Sequence, residues 1–404
     1  MHEHDVEARR VASQAPEAPA PRADEAPDLG LFRVLRDDGS ADPETDPALA
    51  PHVLLRAYRE MKRVRLIDTR MMLLQRQGRV HFAGECRGQE ATSIATGLVL
   101  ERDDWVFPAL RESAIMLVRG FPLRAYIAQY FGNAGDVLKG RQMPSHMSGR
   151  AVNQVAWSSC MATQLPHAVG AAWAAKMRKD KAVVVGFVGD GGTSEPDFHN
   201  ALNFAGVFKV PCVLVCQNNH WAISVPSARQ TASATFAVKG RAYGVPSVRV
   251  DGNDVLALHR VVGDAVARAR SGGGPTFIES VTYRMGAHSS SDDPTRYRSQ
   301  EEVDMWAQRD PIARLRRHLV QRGLLDEAEE AAMEEGLMAE ISAAIQEVEA
   351  LGPPARETLF DDVYAELPWH LAEQRAEVLS SPPFATGGPE SPPKPPGVAS
   401  GRGH

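Results

Sequence analysis

From Val183 onward the hydrophobic positions fall into short unbroken runs separated by helical patterns. Val183–Val188 (VVVGFV) reads as a buried strand, and Glu195–Phe208 as a helix with Phe198, Leu202 and Ala205 at helical spacing. Val213–Cys216 is the next strand. Ser247–Val250, a helix over Asn253–Ala269 and a strand over Thr276–Tyr283 continue the alternation. Strands that are apolar throughout, rather than at every second position, must be covered on both faces. The pattern therefore predicts an α/β fold with a parallel sheet between helices. Glu327–Glu349, rich in Ala, Glu, Leu and Met, reads as a long charged helix, which makes the C-terminal part helical.

The ends of the chain lack such periodicity. Residues 1–45 are rich in Ala, Pro and acidic residues, and 380–404 in Pro, Gly and Ser. Both are expected to be disordered tails around one globular region, 46–379, with no internal repeat or linker. The chain has 404 residues, with 43% hydrophobic and 24% charged, which suits a globular enzyme. A net charge of -6 without a basic cluster argues against a nucleic-acid partner. No run is long and apolar enough to suggest a membrane span. Four cysteines with no CxxC pair indicate neither a zinc site nor a disulfide framework, and the opening MHEHDVEARR has no apolar signal core; a cytoplasmic location is the simplest expectation.

Chemistry is concentrated where a strand gives way to a helix. Gly189-Asp190-Gly191-Gly192-Thr193-Ser194 follows one predicted strand and opens a helix. Glycines allow close approach to a phosphate, and a helix N-terminus favours negative charge. Asp190 would repel a bare diphosphate, so its presence points to an intervening cation such as magnesium. Gln217-Asn218-Asn219-His220-Trp221 follows the next strand, and Asn219 lies 29 positions beyond Asp190 (219 − 190). That separation is one helix plus one strand, which returns both side chains to the same end of the sheet. Either motif alone would pass for a tight turn. Together they make a two-point metal clamp.

The stretch GDGGTSEPDFHNALNFAGVFKVPCVLVCQNNHWAIS resembles the thiamine diphosphate motif of the 2-oxo acid dehydrogenase α subunits. Within that family the chain is most similar to the branched-chain type, over about Leu66 to Leu319. The segments GRQMPSHM, SSCMATQLP, RVDGNDV and YRMGAHSSSDDPTRYRS support it. The resemblance implies a thiamine-diphosphate-binding fold and oxidative decarboxylation of a 2-oxo acid, with the acyl group passing to the lipoyl arm of an acyltransferase. It implies that Asp190, Asn219 and the backbone carbonyl of Trp221 hold magnesium. Gly189, Gly191 and Gly192 admit the diphosphate, and Arg111 contacts it. Ser159 and Met161 line the middle of the cofactor, and Met161 holds it bent. Ser158, Thr163 and Gln164 match a structural potassium site. His288 is the catalytic residue, with Arg284 and Tyr297 shaping its loop. Ser289 matches a region phosphorylated in mitochondrial relatives. The glutamate needed beside the aminopyrimidine comes from a β subunit in this family, so an α2β2 assembly is implied.

The chain departs from the pattern at Leu110, where relatives usually carry a tyrosine, and at Ala83-Gly84, where bulkier residues shape the substrate pocket. Gln217 stands where some branched-chain members have a basic residue. A pyruvate dehydrogenase α subunit and a cofactor-binding subunit without turnover are the competing readings. An unrelated dinucleotide-binding dehydrogenase fails, because no G-x-G-x-x-G follows an early strand.

Overall fold

The computed structural model describes residues 30–382, so most of both expected tails, at 1–29 and 383–404, lies outside the described residues. The described residues divide into two compact units, one ending at Pro353 and one beginning at Pro354. That corrects the expectation of one region over 46–379. The break falls in Leu351-Gly352-Pro353-Pro354, where two prolines lack the N–H a helix needs.

The first unit begins with β1 (Leu31–Phe32), α1 (Pro51–Arg76), α2 (Glu90–Val99) and β2 (Trp105–Phe107). Two short helices, α3 (Ala114–Val118) and α4 (Leu123–Phe131), precede α5 (Gln164–Met177), β3 (Val184–Gly189), α6 (Pro196–Phe208) and β4 (Cys212–Asn218). A small hairpin, β5 (Trp221–Ala222) with β6 (Val225–Pro226), leads to α7 (Ala237–Arg241), β7 (Ser247–Asp251), α8 (Val255–Arg270) and β8 (Thr276–Val281). Three helices follow: α9 (Gln300–Ala307), α10 (Pro311–Gln321) and α11 (Glu327–Glu349). The second unit carries α12 (Thr358–Asp361) and α13 (Trp369–Ser380).

The main sheet has six strands in the order β1-β7-β8-β4-β3-β2, all parallel. Alternate residues serve two cores. Val185, Phe187, Val213, Val215 and Ile278 pack with residues of α1, α2 and α8. Val184, Val188, Leu214, Cys216 and Phe277 pack with residues of α5 and α6. Both faces are thus covered, as the unbroken apolar strands require. Phe187 is fully buried at the centre of the first core. Phe187→Ala is expected to destabilise the chain by about 3–5 kcal/mol, read as a lower denaturant midpoint.

The N-terminal boundary lies earlier than residue 45. Leu31–Phe32 pairs with Arg249–Val250, and the backbone N–H groups of Val34 and Leu35 donate to Asp254 Oδ2 at 2.7 and 2.6 Å. The other oxygen of Asp254 caps α8 through the N–H groups of Leu256 and Ala257. One buried carboxylate so fastens the first strand to the sheet and starts a helix.

Candidate active site

Four neighbouring strands deliver the predicted residues to one end of the sheet. β2 is followed by Arg111, β3 by Asp190, β4 by Asn219, and β8 by Arg284 and His288. Gly189 sits beside Gln217, and Gln217 beside Ser280, so the carboxyl ends of the three central strands are level. Ligands of open parallel sheets bind there.

Asp190 is almost fully buried, and desolvation raises its carboxyl above the ordinary carboxylate value. Its Oδ2 accepts from the Gln230 side-chain amide at 2.7 Å and from Ser227 Oγ at 3.4 Å. Ser227 Oγ also lies 3.2 Å from Asn218 Oδ1, so its single proton is shared between the two motifs. Asn219 Nδ2 donates to Gln89 Oε1 at 2.9 Å, and its Oδ1 receives the Trp221 N–H at 3.2 Å. The Trp221 carbonyl accepts from Arg284 Nη1 at 3.0 Å. Among the described residues no three His, Cys, Asp or Glu side chains converge. A cation here would therefore take one carboxylate, an amide oxygen and a carbonyl, with its remaining ligands from a bound anion. That all-oxygen, singly acidic set suits magnesium shared with a phosphate.

The glycines have distinct tasks. A Cβ on Gly191 would lie 2.5 Å from Ala222 Cβ, and one on Gly192 would lie 2.4 Å from Val188 Cγ2. These two let the loop press onto the hairpin and the sheet. A Cβ on Gly189 would meet nothing within 4 Å. Of the three, only Gly189 faces open space.

Two buried guanidiniums stand nearby with neutral partners. Arg111 donates to the carbonyls of Glu85 and of His288, the latter at 2.9 Å. Arg284 donates to the carbonyls of Trp221 and Ile223 and to the Tyr297 hydroxyl. Burial and the charge of Arg284 lower Arg111 to about 10. A pair of desolvated cations held by neutral oxygens is a receptor for an anion, and the diphosphate fits it.

His288 is half-buried. Burial, then Arg111 and Arg284, push it down to about 4, so the ring is neutral at ordinary pH. Its backbone N–H donates to Asp292 Oδ2 at 2.7 Å, and Tyr297 donates to the same oxygen at 2.5 Å. Arg284 and Tyr297 do shape this loop. Ser289 is buried, and the neighbouring Ser290 N–H donates to the Ala83 carbonyl at 2.9 Å.

Ser159 Oγ lies 2.5 Å from His146 Nε2, and the His146 ring packs on that of Trp157 at 3.9 Å between centroids, tilted by 35°. Met161 is 57% exposed among the described residues, which leaves its side chain open to a bound group. Ser158 Oγ accepts from the Cys160 N–H, and Gln164 Nε2 donates to the Phe187 carbonyl at 2.7 Å. Gln164 Oε1 is buried with no hydrogen-bond partner among the described residues, which suits a cation ligand beside Thr163. The two pocket departures are one feature, because a Cβ on Gly84 would lie 3.6 Å from Leu110 Cδ1. That is ordinary van der Waals contact, so the two positions line the same wall without one excluding a larger residue at the other.

Sequence reasoning missed Gln89, Gln230, Ser227 and His146. His146 lay within the quoted GRQMPSHM, a usable signal. The others carry none: each is an ordinary polar residue placed by tertiary contact.

A family model described as "Dehydrogenase E1 component" matches residues 58–357. The α subunit of 2-oxoisovalerate dehydrogenase from Pseudomonas aeruginosa is 42% identical over 355 residues, covering 86% of this chain and 87% of its own. The mitochondrial α 2 subunit from Arabidopsis thaliana is 41% identical, covering 85% and 73%. The mouse mitochondrial subunit is 39% identical, covering 86% and 79%. With a family model spanning most of the chain and such relatives matched along most of their length, the chain belongs to the dehydrogenase E1 component family.

Proposed function

We propose that this chain is the α subunit of a branched-chain 2-oxo acid dehydrogenase, a 3-methyl-2-oxobutanoate dehydrogenase (2-methylpropanoyl-transferring). It joins a β subunit in an α2β2 heterotetramer in the cytoplasm and passes the acyl group to lipoyl on an acyltransferase. When bound, thiamine diphosphate supplies the nucleophilic carbon and the electron sink for decarboxylation. Asp190, Asn219 and the Trp221 carbonyl hold magnesium; Arg111, with Gly189, receives the diphosphate. Ser158, Thr163 and Gln164 hold potassium. His288, neutral and locked through its backbone to Asp292, offers one ring nitrogen as donor and the other as acceptor. It stabilises charge on the reacting oxygen and steadies the acyl group during transfer. Met161, exposed in this chain, is covered by the cofactor and the β subunit.

The observation that carries this reading is the meeting of buried Asp190 with two desolvated guanidiniums at the carboxyl ends of adjacent strands. The branched substrate rests on the relatives' names. Its test is reduction of an artificial electron acceptor by the chain with its β subunit, magnesium and thiamine diphosphate. The 2-oxo acids compared are 3-methyl-2-oxobutanoate and pyruvate. The branched acid should give the higher kcat/KM; a preference for pyruvate would move the substrate and keep the chemistry.

A further inference from the structure

Asp68 lies in the middle of α1, 43 positions before Arg111 (111 − 68), and its carboxylate is buried. Its Oδ2 accepts the backbone N–H of Cys86 at 2.8 Å. The carbonyl of the same peptide unit belongs to Glu85, and it accepts from Arg111 Nη1. One planar peptide group is therefore held at its N–H end by a carboxylate and at its C=O end by a guanidinium. The second guanidinium nitrogen reaches the His288 carbonyl at 2.9 Å. The Glu85 side chain packs against Gly286, in the space a Cβ there would occupy.

A peptide unit rotates only as a plane, so fixing its N–H fixes the direction of its carbonyl. A carboxylate on the N–H also polarises the amide and makes the carbonyl oxygen a stronger acceptor. From this geometry we infer that Asp68 is a positioning residue for the cofactor's diphosphate, acting through the Glu85–Cys86 peptide on Arg111. The inference rests on the proposed contact between Arg111 and the diphosphate.

The alternative is that Asp68 merely satisfies a buried N–H. The environment makes that an expensive solution. Cys86, Glu85 and Glu90 face the carboxylate, and Tyr126 and Tyr130 lie within its field. Burial first, opposed by the Cys86 bonds and reinforced by the two glutamates, raises the carboxyl to about 7. Because the folded value is raised, the ionised form costs stability as pH climbs from the ordinary carboxylate range towards 7. An asparagine would accept the same N–H without that cost. Both roles therefore leave Asp68→Asn at least as stable, and they part at cofactor binding, which weakens only if Asp68 positions Arg111.

The test uses the assembled enzyme with its β subunit and titrates thiamine diphosphate with magnesium by calorimetry. Four forms are compared: wild type, Asp68→Asn, Arg111→Gln and the double variant. Asp68→Asn is expected to weaken cofactor binding about tenfold in the wild-type background and not at all beside Arg111→Gln. Its melting temperature without cofactor should equal or exceed that of the wild type at about pH 8. Equal weakening in both backgrounds, no weakening, or a chain that fails to fold would each overturn the inference. If Arg111→Gln binds as tightly as the wild type, the diphosphate contact itself is wrong and the inference falls with it. If Arg111→Gln does not assemble, the same binding is measured from about pH 6 to about pH 9. Wild-type affinity should then fall as pH drops through about 7, and Asp68→Asn should lack that fall. The same fall in both would overturn the inference.

Discussion

Asp190→Ala is expected to abolish turnover and to remove tight binding of thiamine diphosphate with magnesium, while the chain still folds and assembles. The carboxylate is the one acidic side chain among the proposed metal ligands, and its Oδ2 is set by Gln230 and Ser227. Losing an outer-shell partner of a metal costs about 10–100-fold, so losing the ligand itself should exceed that range. Folding should not suffer, because burial disfavours the carboxylate in the cofactor-free protein. Its value is raised by desolvation, so its ionised form costs stability as pH rises above the ordinary carboxylate range. Titration calorimetry with and without magnesium reads the first effect, and thermal unfolding of the cofactor-free protein reads the second. Loss of cofactor binding together with a much lower melting temperature would place Asp190 among structural residues.

The second large effect is expected at His288. Replacing it with alanine should lower kcat by about 10²–10⁴-fold while cofactor affinity changes little. The loop backbone, not the ring, carries the contacts to Arg111 and Asp292, so the loop should persist without the imidazole. The pH dependence separates a neutral from a cationic role. The folded value, about 4, lies below the ordinary 6.5, so the neutral ring's contribution to stability is complete above about 6.5. It is lost as pH falls towards 4. Wild-type cofactor-free protein should therefore lose stability over that window relative to His288→Ala. A variant with equal loss of kcat and of cofactor affinity would make His288 a binding residue only.

Much of this arrangement is legible in the residues. The valine-rich strands at Val184–Gly189 and Cys212–Asn218 stand out because they are buried on both faces. α11 spans Glu327–Glu349 as expected, because Asp326 and Glu329 close a reciprocal capping box at its start. Asp190 and Asn219 could be paired from spacing alone, since parallel strands return the chain to the same edge. The misses have physical causes. β1 and β2 contain two and three residues, too few for any period to register. α1 buries Tyr58, Met61, Ile67 and Met71, yet it is crowded with Arg and Lys and hides its apolar stripe. Residues 30–45 look like a tail by composition, and only Leu31-Phe32-Arg33-Val34-Leu35 betrays that they fold. Their anchor, Asp254, is more than two hundred positions away. Asp68 and Gln230 gain meaning only from partners that the sequence does not place beside them.

The most direct measurement of the central claim is intact-mass analysis of a lipoylated domain. The domain is incubated with this chain, its β subunit, magnesium, thiamine diphosphate and 3-methyl-2-oxobutanoate. The account predicts a 2-methylpropanoyl adduct on the lipoyl group when all components are present. It predicts none when this chain is omitted or carries Asp190→Ala. An adduct that forms just as fast without this chain, or none at all from an intact assembly loaded with cofactor, would contradict it.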